Sequence, residues 1–450
     1  MIETLYKIFQ EYQTVTTDTR QITEGCIFFA LKGDSFDGNV FAEKALELGA
    51  KCAVIDNISF KKDDRYVVVE DVLTTLQDLA RHHRRQFDFP IIAITGSNGK
   101  TTTKELMATV MSSQYNTHFT KGNFNNHIGV PLTVLQLNAD HEVAIIEMGA
   151  NHQGEIDLLC KIAEPTHGLV TNMGKAHLEG FGGFEGVKKG KSEMYRWLAA
   201  QDGTVFINED EPYLMDFLPK KSLHVIAYCR SHAPCLATPQ YEVTLEDSEG
   251  FLKVGFLNSK GEMLYATTNL VGEYNFANIA TAVAVGKYFK VPTSKIKNAL
   301  ENYVPSMNRS QLMEYKSATL ILDAYNANPS SMKQALLNLS KMPQAYKIAI
   351  IGDMRELGEE SQREHISILN LANSLNFNEL ATVGNEFGEV NNSEDIVTAS
   401  GARQERVHFD ETENAIVWFQ NKKFENETCI LIKGSRGMKL ETLLEKPQAH

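Results

Sequence analysis

Residues 92–103 read Ile92-Ala93-Ile94-Thr95-Gly96-Ser97-Asn98-Gly99-Lys100-Thr101-Thr102-Thr103. Ile92, Ala93 and Ile94 predict a short buried strand, and Gly96 to Gly99 a tight loop. Lys100 and the threonines open a helix that continues through Leu106, Met107, Val110 and Met111. A strand, a glycine loop and a helix N-terminus together form an anion site. Loop amides point inward, the helix dipole favours negative charge, and Lys100 adds a full positive charge. A threonine hydroxyl beside that lysine is placed to ligand Mg²⁺. The stretch therefore reads as a cradle for nucleotide phosphates. The general loop of this kind, G-x-x-x-x-G-K-[ST], has an outer glycine where this chain has Ile94. That departure argues against the common kinases and GTPases. The plainer alternative, an ordinary turn before a helix, is disfavoured by the preceding strand and the Gly96/Gly99 pair.

Working outward, 450 residues predict about three domains at roughly 150 residues each. A hydrophobic content of 43% suffices for packed cores, and a formal charge of −13 argues against a nucleic-acid partner. The six cysteines, Cys26, Cys52, Cys160, Cys229, Cys235 and Cys429, are scattered without a C-x-x-C pair. They suit a reducing compartment, and the Cys229/His232/Cys235 spacing matches no common metal site. The N-terminal stretch is too short and interrupted for a signal peptide, and no run approaches the ~20 apolar residues of a membrane span. The expectation is a cytoplasmic protein.

The pattern divides into three units. Residues 1–88 alternate short strands (25–31, 52–55, 66–69) and helices (41–48, 73–86), and Phe87-Asp88-Phe89-Pro90 marks the exit. Residues 89–306 alternate apolar strands such as 143–146 and 168–171 with helices, the signature of a parallel sheet covered on both faces. Within that unit, 241–245 and 251–256 predict an antiparallel meander, followed by a helix from Asn275 to Tyr288. Residues 307–450, with strands at 320–322, 348–351 and 429–432, predict a second, smaller doubly wound unit. The fold class is α/β in three domains. They are a small N-terminal one, a central P-loop-type parallel sheet with an antiparallel addition, and a Rossmann-like C-terminal one.

Polar clusters follow those strands, where open α/β sheets bind ligands. Glu147 ends a buried strand facing the phosphate loop, and a carboxylate there suits Mg²⁺ better than an idle surface role. His177 lies in a glycine-rich loop, and its local features leave ligand and exposed loop residue equally open. Lys188, Lys189 and Lys191 read as a solvated helix face, and nothing physical singles out Lys191. Three further loops, 323–332, 352–358 and 433–438, share one edge of the third unit and form a binding face.

Taken in order, the motifs resemble the Mur ligases, the ATP-dependent amide-forming enzymes of peptidoglycan precursor synthesis. The matching segments are Thr17-Asp18-Thr19-Arg20, F-A-L-K-G (29–33), F-D-G (36–38), T-G-S-N-G-K-T-T-T-K-E, N-F-N-N-H-I-G-V-P-L-T, E-M-G-A-N-H-Q-G-E-I, A-H-L-E-G-F-G, D-A-Y-N-A-N-P-S-S-M, G-D-M-R-E-L-G and K-G-S-R-G-M. The last three, with the K-E after the threonines, point to the branch that couples D-alanyl-D-alanine to UDP-N-acetylmuramoyl-tripeptide. The resemblance implies that Gly96, Ser97, Asn98, Gly99, Lys100, Thr101 and Thr102 hold the ATP phosphates. Asn275, Arg309 and Asp323 would contact adenine, phosphate and ribose. Thr101 and Glu147 would bind one Mg²⁺, and His177 with a carbamylated Lys191 a second. Thr19, Arg20, Asp37 and Gly38 would face the UDP end, and Asn328 the substrate side of the third unit. Lys100, Glu147, His177 and Lys191 would be the catalytic set.

The family's usual acidic residue in N-N-[DE]-I-G is His127 here, and its usual G-x-H-N is G-E-Y-N with Tyr274. The resemblance further implies a monomer acting on small molecules in cell-wall synthesis, and so in cell shape and division. It also implies an open form that closes by rotation of the third unit about 305–309. A sister ligase that adds the third amino acid, a folylpolyglutamate synthase and a non-catalytic nucleotide-binding paralogue are the competing readings.

Overall fold

A computed structural model describes residues 1–220, 223–231, 239–306, 308–391, 393, 395–396 and 405–445. His232, Cys235 and Met307 therefore lie outside the described residues. The five described cysteines are all buried.

The central sheet builds around the quoted strand. Ile91–Thr95 is fully buried, and its β-branched residues pack on both faces. Across the sheet the order is Met263–Val271, Phe251–Leu257, Tyr241–Asp247, His224–Arg230, Thr204–Asn208, His167–Val170, Ile91–Thr95, Val143–Glu147 and Thr117–Phe119. From Tyr241–Asp247 to Thr117–Phe119 all pairs are parallel, so their C-terminal ends share one edge. Only Phe251–Leu257 and Met263–Val271 form the antiparallel addition. The meander expected from 241–245 and 251–256 is present, since Tyr241–Asp247 pairs antiparallel with Phe251–Leu257, while its other edge joins His224–Arg230 in parallel.

One face of this sheet is covered by helices Lys100–Ser112, Phe276–Tyr288 and Thr293–Asn302, through Met107, Val110, Ile279, Val283 and Ile296. Phe276–Tyr288 is apolar around most of its circumference and is buried accordingly. The other face carries Glu155–Ala163 and Glu193–Ala200, through Ile156, Leu159, Tyr195 and Leu198. At about 1.5–3 kcal/mol for each large apolar side chain removed from water, these two layers hold the phosphate loop's base rigid.

The N-terminal unit is a four-stranded parallel sheet, Val15–Thr16, Ile27–Phe29, Cys52–Ile55 and Tyr66–Val68. Its helix Val72–Arg84, capped by Asp71 through Thr74 N–H, packs against central helices Gly129–Val134 and Glu155–Ala163. Buried His83 links Tyr6 Oη (3.0 Å) to Leu137 O (2.8 Å), which ties the two units. The third unit has the order Gln311–Tyr315, Ala318–Asp323, Thr428–Lys433, Tyr346–Gly352, Glu379–Val383 and Glu405–Phe409, parallel except for the first pair.

The third unit is docked on the central one. Asn328 Nδ2 donates to Asn98 Oδ1 (2.7 Å), Lys175 pairs with Glu364, and His177 pairs with Glu356. The arrangement is the closed one, so the open form expected from the sequence is not the form described. No helix among the described residues is long and apolar enough to cross a membrane.

Candidate active site

The phosphate loop is held by its neighbour strand. Gly96 has φ +143°, and a Cβ there would lie 2.0 Å from Thr171 Oγ1. Gly99 has φ +79°, and its Cβ would lie 2.4 Å from Asn278 Oδ1. Both positions therefore exclude side chains for two reasons, backbone conformation and space. The loop following His167–Val170 clamps the turn. Thr171 Oγ1 donates to Asn98 O (2.6 Å), Asn98 N–H to Asn172 Oδ1 (3.0 Å), and Ser97 N–H to Asn172 O (2.9 Å). Lys100 folds over the loop, and its Nζ donates to Gly96 O (2.6 Å) and Ser97 O (3.3 Å). Removal from water pushes its pKa down to about 8, opposed by the Glu147 charge and reinforced by Arg309.

Glu147 ends the strand Val143–Glu147 and is 1% exposed. Its Oε1 accepts from Thr101 Oγ1 (3.1 Å) and Asn125 Nδ2 (2.8 Å). Its Oε2 has no hydrogen-bond partner, and the buried Lys104 ammonium stands 3.9 Å away. Burial lowers the Lys104 pKa, and the Glu147 charge partly restores it. Among the described residues no three His, Cys, Asp or Glu side chains converge as a self-sufficient metal cage. Mg²⁺ at a nucleotide does not need one, because it takes one or two carboxylates, substrate phosphates and water. The open Glu147 oxygen beside Thr101 fits that requirement.

His177 has a left-handed backbone (φ +54°), and its Nδ1 meets the Glu356 carboxylate. The imidazole beside it holds the Glu356 pKa below its usual value. Lys191 does not line the cavity. It is 1% exposed on Phe184–Lys191, its Nζ donates to Ala150 O (3.2 Å), and it stands 5.1 Å from the Phe181 ring centroid. Burial, with the Lys100 charge, depresses its pKa strongly. The expectation of a solvated lysine face is thus wrong for this residue. Val187 and Lys191, one helical turn apart, share the buried face.

One cavity of about 790 Å³ gathers most of these groups. Lys100, Thr101, Glu147, His177, Asn275, Arg309, Asp323 and Asn328 line it. Asn275 Nδ2 donates to Val271 O (2.8 Å), and its Oδ1 accepts from Asn278 Nδ2 (2.9 Å), which fixes the start of Phe276–Tyr288. Arg309 stacks on Tyr325 at 3.7 Å, with its Nε unpartnered. Asp323 is engaged by Lys433 Nζ (2.6 Å) and Ser310 N–H (3.1 Å). Asn328 caps Pro329–Lys341 through Ser331 N–H (2.9 Å) while bridging to Asn98. Thr19, Arg20, Asp37 and Gly38 are not among the residues lining this cavity. Arg20 pairs with Asp18 (2.6 Å), and Asp37 accepts from Asn39 N–H (2.9 Å).

Asn125, Asn172, Lys104 and Glu356 join the site without a local sequence pattern that marks them for it. Lys104 lies on the same helical face as Met107 and Met111, a spacing that marks burial.

Residues 11–84 match the Mur ligase family catalytic domain, 94–286 the Mur ligase middle domain, and 308–436 the Mur ligase glutamate ligase domain. The UDP-N-acetylmuramoyl-tripeptide–D-alanyl-D-alanine ligase of Escherichia coli is 34% identical over 436 residues, 96% of this chain and 93% of that one. A crystal structure of MurF from Acinetobacter baumannii superposes with a TM-score of 0.83 at 29% identity, covering 96% of this chain and 92% of that chain. MurF ligase from Thermotoga maritima in complex with ADP superposes with a TM-score of 0.80 at 26% identity, covering 96% of each chain.

Proposed function

The chain belongs to the Mur ligase family, and from that premise we propose what its cavity does. It is an ATP-dependent carbon–nitrogen ligase that joins D-alanyl-D-alanine to UDP-N-acetylmuramoyl-tripeptide, forming ADP and phosphate in peptidoglycan precursor synthesis. The sister-ligase, folate-ligase and non-catalytic readings are not favoured, because full-length relatives carry the D-alanyl-D-alanine ligase name. The observation that carries the proposal is the clamped loop Gly96–Thr102 facing the open oxygen of buried Glu147 across one cavity.

A carboxylate resists amine attack because oxide is a poor leaving group. Transfer of the ATP γ-phosphoryl to the terminal carboxylate of the tripeptide makes an acyl phosphate. The D-alanyl-D-alanine amine adds to its carbonyl carbon, the C–O bond to phosphate breaks, and the amine proton leaves. Loop amides and Lys100 hold the triphosphate. Lys100 must exchange its bonds to Gly96 O and Ser97 O for phosphate oxygens, and an arriving anion favours its charged form. Thr101 and Glu147 would hold one Mg²⁺, and His177 with carbamylated Lys191 a second, supplying charge neutralisation between phosphates and carboxylate. For Lys191 the supporting feature is its depressed pKa. A neutral amine nitrogen attacks the carbon of CO₂ and loses a proton to water, which leaves an anionic oxygen ligand.

Residues 1–88 hold the UDP end through Thr19, Arg20, Asp37 and Gly38, and 89–306 hold ATP with Asn275. Residues 307–450 bring Arg309, Asp323 and, on the dipeptide side, Asn328. The protein works as a monomer in the cytoplasm. The test is mass spectrometry of products from UDP-N-acetylmuramoyl-tripeptide, ATP and D-alanyl-D-alanine. The expected result is the pentapeptide with equimolar ADP and phosphate. Release of AMP, or turnover with a single amino acid instead of the dipeptide, would count against it.

A further inference from the structure

The reaction leaves a second buried carboxylate in the cavity without a role. Thr204–Asn208 ends at the cavity, and Glu209, which follows, lines it at 3% exposure. Neither Glu209 oxygen has a hydrogen-bond partner among the described residues. The backbone is fixed, with Glu209 N–H donating to Tyr228 O (2.9 Å), so the position is rigid while the carboxylate is open. The neighbouring cation is committed elsewhere. The Arg230 guanidinium donates to Glu273 (2.8 Å), and its backbone N–H to Asp210 (3.0 Å). An ionised carboxylate only accepts hydrogen bonds, and a buried acceptor left open is unfavourable, so this one is built for a donor that arrives with a ligand.

The strand order says which part of the ligand that is. Ile91–Thr95 carries the phosphate loop, His167–Val170 lies beside it, and Thr204–Asn208 lies next, all parallel. Strands are about 4.8 Å apart, so Glu209 stands roughly 10 Å along the sheet edge from the phosphate loop. The displacement is away from Glu147, which flanks the loop on the other side. The helix Phe276–Tyr288, which begins beside Asn275, packs on Thr204–Asn208 and His224–Arg230, and its first residue, Phe276, has its ring centroid 5.5 Å from the Arg230 guanidinium. A nucleotide whose terminal phosphate points toward Glu147 places its base here.

We infer that Glu209 accepts a hydrogen bond from the exocyclic amine of the bound purine, and so selects a 6-amino purine over a 6-oxo purine. The inference rests on the ATP reading above. A 6-oxo group would set an acceptor against an acceptor and leave both unpaired, the arrangement that polar sites reject most strongly.

The test is calorimetric binding of ADP, IDP and purine riboside diphosphate, which lacks any 6-substituent. The proteins are wild type, Glu209→Gln and Glu209→Ala. Wild type should prefer ADP to both analogues by about tenfold or more. Glu209→Gln, whose amide can donate to a 6-oxo group, should narrow or reverse the ADP/IDP ratio. Glu209→Ala should bind all three within about twofold. If Glu209→Ala does not fold, the near-isosteric Glu209→Gln decides alone. Base preferences that are the same in wild type and Glu209→Gln would overturn the inference while leaving the ligase reading intact. A wild-type protein that binds no ADP at all would overturn both.

Discussion

Replacing Glu147 by glutamine keeps its shape and removes its charge, which separates two roles the structure gives it. In the fold it faces the buried Lys104 ammonium at 3.9 Å. Two unit charges at that distance and an effective dielectric constant of 20 attract by about 4 kcal/mol. Part of this is recovered, because the variant no longer buries a carboxylate and Lys104 keeps Glu105, also at 3.9 Å. The net loss should be about 2 kcal/mol, or roughly 4–8 °C in the melting of the central unit. The pH dependence carries a sign. Burial already holds the Lys104 pKa below the ordinary lysine value of 10.5, and the Glu147 charge works against that depression. Glu147→Gln lowers it further, so the variant sheds the Lys104 proton more readily. A lysine depressed in the folded state opposes folding while it is charged. The destabilisation should therefore be largest near pH 6–7 and shrink as pH rises toward the usual lysine range.

In catalysis the same substitution removes the open oxygen beside Thr101, and ADP formation should fall by about 10² or more. Thermal melting from pH 6 to 9, together with steady-state ADP release at saturating Mg²⁺, reads both effects. A variant with near-normal turnover would refute the metal role. A destabilisation that grows with pH would refute the charge pairing.

Four further outcomes follow from the same geometry. Lys100→Ala should melt within about 1 °C of wild type and form no product, since Lys100 contacts loop carbonyls and no core; product formation at near-wild-type rate would remove the loop from the mechanism. Gly96→Ala forces a Cβ to 2.0 Å from Thr171 Oγ1 at φ +143°, so it should lose about 2–4 kcal/mol of stability and its ADP binding by calorimetry; tight ADP binding here would contradict the clamp. Lys191→Ala should be inactive and partly rescued by a short carboxylic acid, and wild-type activity should fall in CO₂-depleted buffer and return with bicarbonate; an active enzyme whose intact mass shows only unmodified lysine would exclude the carbamate. Glu364→Gln removes the pair with Lys175 and should enlarge the radius of gyration in solution scattering, an increase reversed by ATP analogue plus tripeptide substrate; no change in either condition would mean the contact does not hold the units together.

What was legible in the sequence was contiguous. Gly96 to Thr102 could be read because strand, loop and helix N-terminus follow one another, and Glu147 because it directly ends an apolar strand. The three loops of the third unit are likewise legible as a face from their position directly after strands. What was hidden depended on docking between distant segments. Asn172 clamps Asn98 from the neighbouring strand, Asn125 reaches Glu147 from a loop 22 residues earlier, and His177 meets Glu356 across two units. No local pattern encodes these pairings, since they follow from how separately formed sheets pack. Burial of charge was hidden differently. Lys188, Lys189 and Lys191 look alike as letters, but only Lys191 shares a face with Val187, and only Lys104 repeats the spacing of Met107 and Met111. Helical spacing therefore held that information, and composition masked it. Glu209 is the limiting case. As one of three acidic residues in Glu209-Asp210-Glu211 it reads as a solvated turn, and its open carboxylate acquires meaning only when the chain seals it from water beside an empty volume. A buried acceptor without a donor defines half of a contact, and the other half must come from a molecule outside the chain.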